Sequence, residues 1–243
     1  MYSLIKYLSQ QCINCLFPYQ CCICHSMNCH DIAVCPECIP LLQYTQAQCQ
    51  YCALPLPNSR SVCAQCLRKP PLHNHLITLG YYQNELKKLI TGFKFQQKLY
   101  AGKLLAQLLS AKLARQEKPE CLLPVPLHRK RLRQRGFNQS IEIAKVIKSQ
   151  LNIPIDCHSI KRINNTQPQS ELPPQERYQN VKNAFRMLKP IPYRHVAIVD
   201  DVITTGSTVK ALSQVLKQAG VTTIQIWCLA KPNRGNKKHR QLS

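Results

Sequence analysis

At 243 residues the chain can bury a core of ordinary size plus a smaller unit. It has no apolar run long enough to cross a bilayer and no basic start, apolar stretch and small-residue cleavage site of a secretory leader, so a cytoplasmic protein is expected, whose 15 cysteines are better read as metal ligands than as disulfides. The formal charge of +22 lies almost wholly after residue 70, because residues 1–70 hold Lys6, Arg60, Arg68 and Lys69 against Asp31 and Glu37; such a field attracts phosphates on a nucleotide, a nucleic acid or an anionic membrane without choosing among them.

Cysteine pairs recur as Cys21 and Cys24, Cys35 and Cys38, Cys49 and Cys52, and Cys63 and Cys66, each pair starting 14 residues after the last. Together they supply the thiolates of two tetrahedral, structural zinc sites, and such knuckles let a small unit fold without a large core. Spacing leaves open whether neighbouring pairs combine in sequence or cross over. Cys12 and Cys15 form a further pair off the period, and Cys22, Cys29, His25 and His30 are spare ligands for the first site. The repeat ends at Arg68, Lys69, Pro70 and Pro71, which places the module at residues 1–70, with its knuckles at 21–66, and a second domain at 71–230.

In that second domain Leu76, Ile77, Leu79, Tyr81 and Tyr82 suit a strand, and Asn84 opens a helix carrying Leu86, Leu89 and Ile90. A helix from about Gly102 repeats Leu104, Leu105, Leu108, Leu109 and Leu113 at three-and-four spacing and so faces a core. An apolar segment at 121–125, a helix over 138–150 and a strand near 153–157 follow. Next come a buried strand at Val196, Ala197, Ile198 and Val199, a helix over 207–219 ended by Gly220, and a last strand at 222–229. The alternation predicts an α/β fold with a doubly wound parallel sheet. Cys121, Cys157 and Cys228 fall on these strands and read as buried, inert thiols. Residues 231–243, with Arg234, Lys237, Lys238 and Arg240, read as a basic, disordered tail.

The apolar strand at 196–199 runs straight into Asp200 and Asp201, then Val202, Ile203, Thr204, Thr205, Gly206, Ser207 and Thr208. In open α/β sheets ligands bind at this carboxyl edge, and the turn into the following helix offers backbone N–H groups to an anion. Gly206 admits close approach, the hydroxyls add donors, and the carboxylates, which only accept, suit sugar hydroxyls. A phosphorylated sugar fits; the GxxxxGK[ST] and GxGxxG patterns of other nucleotide sites are absent. Arg129, Lys130, Arg131, Arg133 and Arg135 crowd into seven residues after the 121–125 segment. They are either a solvated face or, beside a phosphate site, groups that neutralise a leaving diphosphate, with Arg129, Arg133 and Arg135 the candidates. Residues 164–174 form a polar stretch, either an inert connection or a mobile loop. Lys87, Lys88, Lys94 and Lys98 interleave with Phe93, Phe95 and Tyr100, as Arg131, Arg133 and Arg135 precede Phe137. Single-stranded DNA needs that mixture of cations and aromatic platforms, although Phe93 and Phe95 fit a core equally well.

Four apolar residues, two acids, an apolar residue, one variable residue and Thr-Thr-Gly with a Thr nearby resemble the signature of type I phosphoribosyltransferases. The resemblance implies that Asp200 and Asp201 are the catalytic acids and hold the ribose hydroxyls of phosphoribosyl diphosphate. Thr204, Thr205, Gly206, Ser207 and Thr208 would cradle its 5-phosphate, and magnesium would come with the diphosphate. Across nearly the whole chain, the four CxxC pairs, Pro-Val-Pro-Leu at 124–127, Arg-Gly-Phe-Asn-Gln-Ser at 135–140, Asn165-Thr166-Gln167, Asn183-Ala184-Phe185 and the acidic strand tip are similar to the ComF/GntX family. That similarity implies a bacterial competence protein that handles incoming single-stranded DNA during natural transformation, alongside other DNA-uptake proteins at the inner face of the membrane. It also implies a flexible loop contacting substrate through Arg162, Thr166 and Gln167. The alternatives are a metabolic phosphoribosyltransferase acting on a small acceptor and a sensor that binds without turnover; no segment names a base, and no dedicated general base stands out.

Overall fold

The computed structural model describes residues 20–29, 32–44, 46–56, 61–163 and 184–233. The expectations for Cys12, Cys15, His30, Thr166, Gln167, the 164–174 loop and the basic residues from Arg234 onward lie outside them. In chain order the elements are α1 (Ile39–Leu42), α2 (Ala64–Arg68), β1 (His75–Tyr81), α3 (Asn84–Phe95), α4 (Leu99–Leu113), β2 (Cys121–Pro124), α5 (Arg129–Arg135), α6 (Gln139–Leu151), β3 (Ile160–Arg162), β4 (Phe185–Met187), β5 (His195–Val202), α7 (Ser207–Gln218) and β6 (Thr223–Lys231). Four strands make an all-parallel sheet in the order β1-β6-β5-β2, and β3 and β4 pair antiparallel beside it.

Side chains alternate across a strand, so each central strand of a sheet covered on both faces must be apolar throughout. Ala197, Val199, Trp227 and Leu229 join one core with residues of α3, α4 and α6. Val196, Ile198, Ile224 and Ile226 join the other with Val209, Leu212 and Leu216 of α7. Residues 196–199 are fully buried, and each buried Val or Ile contributes roughly 1.5–3 kcal/mol. β5 therefore holds its tip rigidly.

The expected doubly wound parallel sheet is present, with two local differences. β5 does not stop before its acids: Asp200 pairs with Cys228 and Val202 with Ala230, because β6 runs on to Lys231 and supplies partners for the backbone. Around 153–157 only a single bridge forms, Leu122 to Ile155. There the Asp156 carboxylate accepts from the N–H groups of His158 and Ser159 at 2.8 and 2.9 Å and turns the chain away. Cys157 consequently lies exposed on a bend rather than buried on a strand, whereas Cys121 and Cys228 are buried as expected.

The cysteine-rich segment packs directly on the sheet. Val34, Cys35, Cys38 and Leu42 share a core with Leu79, Leu86, Ile90 and Phe93. Gly80 permits the contact, since a Cβ there would stand 2.5 Å from the Leu42 carbonyl oxygen. β1 is an edge strand, and its outer polar groups are taken up: the Tyr44 N–H donates to the Leu79 carbonyl at 3.0 Å and the Leu76 N–H to the Gln50 carbonyl at 2.7 Å. Lys112 Nζ donates to the Thr78 carbonyl at 2.8 Å.

Candidate functional site

Two groups of four thiols stand in the N-terminal module: Cys21, Cys24, Cys35 and Cys38, and Cys49, Cys52, Cys63 and Cys66, the sulfurs of each group within 4.8 Å of one another. Neighbouring pairs therefore combine in sequence. A zinc ion bonded to four sulfurs at about 2.3 Å keeps them about 3.8 Å apart. The observed separations are 3.6 Å for Cys24 to Cys35 and 3.7 Å for Cys52 to Cys63, so both groups fit that ion. Burial works to raise the Cys49 thiol, but the N–H groups of Cys63, Tyr51 and Cys52 bring it down to about 7. Amide-to-sulfur bonds of this kind favour the thiolate that a metal requires. Cys22, Cys29 and His25 stand outside the first group.

At the tip of β5 the two acids meet different elements. Asp201, 8% exposed, forms an ion pair with Lys94 Nζ of α3 at 2.9 Å. Asp200 meets the start of α6. Asn138 caps that helix, its Oδ1 accepting from the Ser140 N–H at 3.0 Å, while its Nδ2 donates to the Val125 carbonyl at 3.0 Å and ties the helix to the end of β2. The Ser140 hydroxyl so positioned donates to Asp200 Oδ1 at 3.1 Å. Burial, then the neighbouring Asp201 carboxylate, push Asp200 up to about 7, against the Lys94 ammonium and the hydrogen bonds from the Asp201 N–H and Ser140.

After β5 the chain turns through Thr204 and Thr205 to Gly206, whose φ of 78° is the left-handed conformation that side chains disfavour. A Cβ on Gly206 would meet nothing within 4 Å, so this side of the turn is open. Thr205 Oγ1 and Ser207 Oγ lie 2.9 Å apart, Thr205 Oγ1 also accepts from the Ser207 N–H at 3.4 Å, and Gly206, at the N-cap of α7, brings no side chain of its own to the helix start. Hydroxyls and the amides of a helix start are the groups that a phosphate-sized anion needs. Thr204 is exposed and Thr208 half-buried at the same turn.

The basic run forms α5, which starts at His128, whose Nδ1 accepts from the Lys130 N–H at 3.3 Å, and ends at the left-handed Gly136. Arg129 and Arg133 are exposed, and Arg131 and Arg135 half-buried. Arg162 of β3 is buried, its guanidinium 5.5 Å from the centroid of Phe185. Burial and the nearby Arg131 lower it to about 10, while Asp200 pulls the other way. Arg131, Arg162 and Asp200 are thus electrostatic neighbours. Of the lysines picked out for nucleic acid, Lys87, Lys88 and Lys98 are exposed, with Lys88 bonded to Glu85 at 2.7 Å. Lys94 instead spends its charge on Asp201.

Two site groups went unassigned from sequence: Ser140 as a donor to Asp200, and Lys94 as counter-ion to Asp201. Asn138 and Ser140 are visible as a capping pattern ahead of a helix, but nothing in linear spacing connects either Ser140 or Lys94 to the strand tip. On the far side of the turn, Thr204, Thr205, Gly206 and Lys210 border a cavity of about 460 Å³ whose opposite wall includes Tyr51, Cys52 and Cys66. The second thiol group and the Gly206 turn therefore share one space, which neither acid lines.

Residues 138–242 match the phosphoribosyl transferase domain. Competence protein F of Haemophilus influenzae is 38% identical over 192 residues, covering 75% of this chain and 84% of that protein. DNA utilization protein YhgH of Shigella flexneri is 34% identical over 204 residues, covering 82% of this chain and 90% of that protein. Among solved structures, a purine phosphoribosyltransferase from Pyrococcus horikoshii aligns over 54% of this chain and 72% of its own, at 21% identity and a TM-score of 0.34. With a third or more of the residues identical over most of both chains, this chain belongs to the family of Competence protein F and YhgH.

Proposed function

We propose that this chain binds phosphoribosyl diphosphate at the tip of β5 and handles single-stranded DNA in a competence-related role. The observation that carries the first half is the open turn at Gly206 directly after a paired-acid strand tip. The Thr205 and Ser207 hydroxyls and the first amides of α7 take the 5-phosphate, and Asp200 and Asp201 accept from the ribose hydroxyls. Arg162 of β3 and Arg131 of α5 face the diphosphate, with Arg129, Arg133 and Arg135 on the same helix as Arg131. Magnesium, bound with the diphosphate, would neutralise charge on that leaving group.

Were an acceptor present, its nucleophile would bond to the anomeric carbon while the bond to diphosphate breaks, the leaving group departing with the electron pair. The arginines favour this step because they face the charge that grows on the diphosphate oxygens. Support for the DNA half comes from the field of the second domain and from the family, two of whose members are named for competence and for DNA utilization.

Calorimetric titration with phosphoribosyl diphosphate and magnesium tests the site. The wild type should bind, and at pH 8, above the Asp200 value of about 7, Asp200→Asn with Asp201→Asn should weaken binding at least about a hundredfold, since two acceptor contacts to the ribose hydroxyls lose their charge. Equal affinity in the double variant would remove the assignment.

A further inference from the structure

α3 ends in two residues that part company. Lys94 reaches in to Asp201 at 2.9 Å, and Phe95, the next residue, is 66% exposed. The Phe95 ring is held in a defined setting: Arg135, the last residue of α5, places its guanidinium 5.5 Å from the ring centroid. Arg135 is in turn fixed by donation from Nη1 to Gln139 Oε1 at 3.1 Å, and Gln139 is fully buried at the start of α6.

Elsewhere among the described residues no stretch of six positions leaves more than two large apolar side chains in water, the pair being Leu67 and Leu72. Here Phe95, Leu99 and Tyr100 fall within six positions, and Leu132 lies on α5 itself. A concentration of this kind marks a contact surface rather than chance exposure. Its charge is one-sided, for the chain has no acidic residue between Glu85 and Glu117 or between Glu120 and Glu142. Those stretches hold Lys94, Lys98, Lys103 and the five cations of α5. A protein partner would have to bring acids and an apolar patch together, and a duplex keeps its base faces covered. A single strand offers a continuous anion and flat, unpaired faces at once.

We infer that Phe95, with Arg135 stacked on it, is the base-stacking platform for single-stranded DNA, whose phosphates follow the basic helix α5. The assignment rests on the DNA reading above and adds where the strand lies.

Phe95→Trp supplies the reporter. The chain has one native tryptophan, and Trp227 is buried with its Nε1 donating to Gln225, so its emission is a constant background. Titrating Phe95→Trp with an oligothymidylate should quench the new indole, and an abasic strand of equal length should not. Phe95→Leu, which keeps apolar bulk without an aromatic face, should bind the oligothymidylate about tenfold more weakly than wild type with an unchanged salt slope, since the phosphate contacts remain. Wild-type affinity in Phe95→Leu together with no quenching in Phe95→Trp overturns the platform and leaves the DNA reading standing. Failure of the wild type to bind any single strand at low salt overturns both. Emission that changes on concentrating the protein alone assigns the face to a second copy and likewise rejects the proposal.

Discussion

Asp200 carries a proton at pH values where an isolated aspartate has lost it, because burial and Asp201 act together against its ionisation. Its folded pKa, about 7, lies above the ordinary 3.8, so between those values the folded protein holds a proton that the unfolded chain has released. The stability this supplies is complete below the lower value and is lost as the pH rises through the upper one. Asp200→Asn should therefore be more stable than wild type at pH 8, by on the order of 1–3 kcal/mol and with a higher melting temperature, and match it near pH 4. Equal melting curves at both pH values would mean that Asp200 is not strained in the ligand-free protein. The same residue shows what a linear reading can reach. Strand, acids and turn at 196–208 are contiguous, so their chemistry is legible in order. Ser140 comes to Asp200 from 60 positions away, and only the packing of α6 against β5 reveals it.

Elements were legible where burial enforces a period and less so where a side chain or a distant partner decides. The four-residue apolar run announced β5, but its true end depends on β6, which continues the ladder past the acids. The stretch at 153–157 looked apolar enough for a strand, yet Asp156 bends it and leaves Cys157 in solvent. α6 began almost where Asn138 placed it, because a capping side chain is a local signal. Asn138 does two jobs, capping α6 and gripping the carbonyl of Val125. Asn138→Ala should cost ~2 kcal/mol, a drop of several degrees in melting temperature, and should also weaken phosphoribosyl diphosphate binding because Ser140 loses its placement. A variant with the expected lower melting point but unchanged ligand affinity would show that Ser140 is not held by this cap.

For the whole molecule, the four CxxC pairs were plain in the sequence, but their seat on the sheet was not. The module shields the free edge of β1 through Tyr44 and Gln50, and Gly80 lets Leu42 sit against it. An unshielded edge strand invites pairing with other chains. Purified protein should contain close to two zinc ions, one for each group of four thiols. Removing them with a chelator should make it scatter light and precipitate rather than leave a well-folded remainder; a clear, fully folded solution after metal removal would contradict that dependence. The strand order carries one more consequence, for synthesis. β6 is the last strand to be made, yet it lies between β1 and β5. While the ribosome is still short of residue 223, β1 with its module and the β5–β2 pair share no strand-to-strand hydrogen bond, being joined through helix packing and the Lys94–Asp201 ion pair, and each shows a raw margin to the cell. A message cut short before the keystone strand should therefore give a sheet split down its middle instead of a smaller working protein.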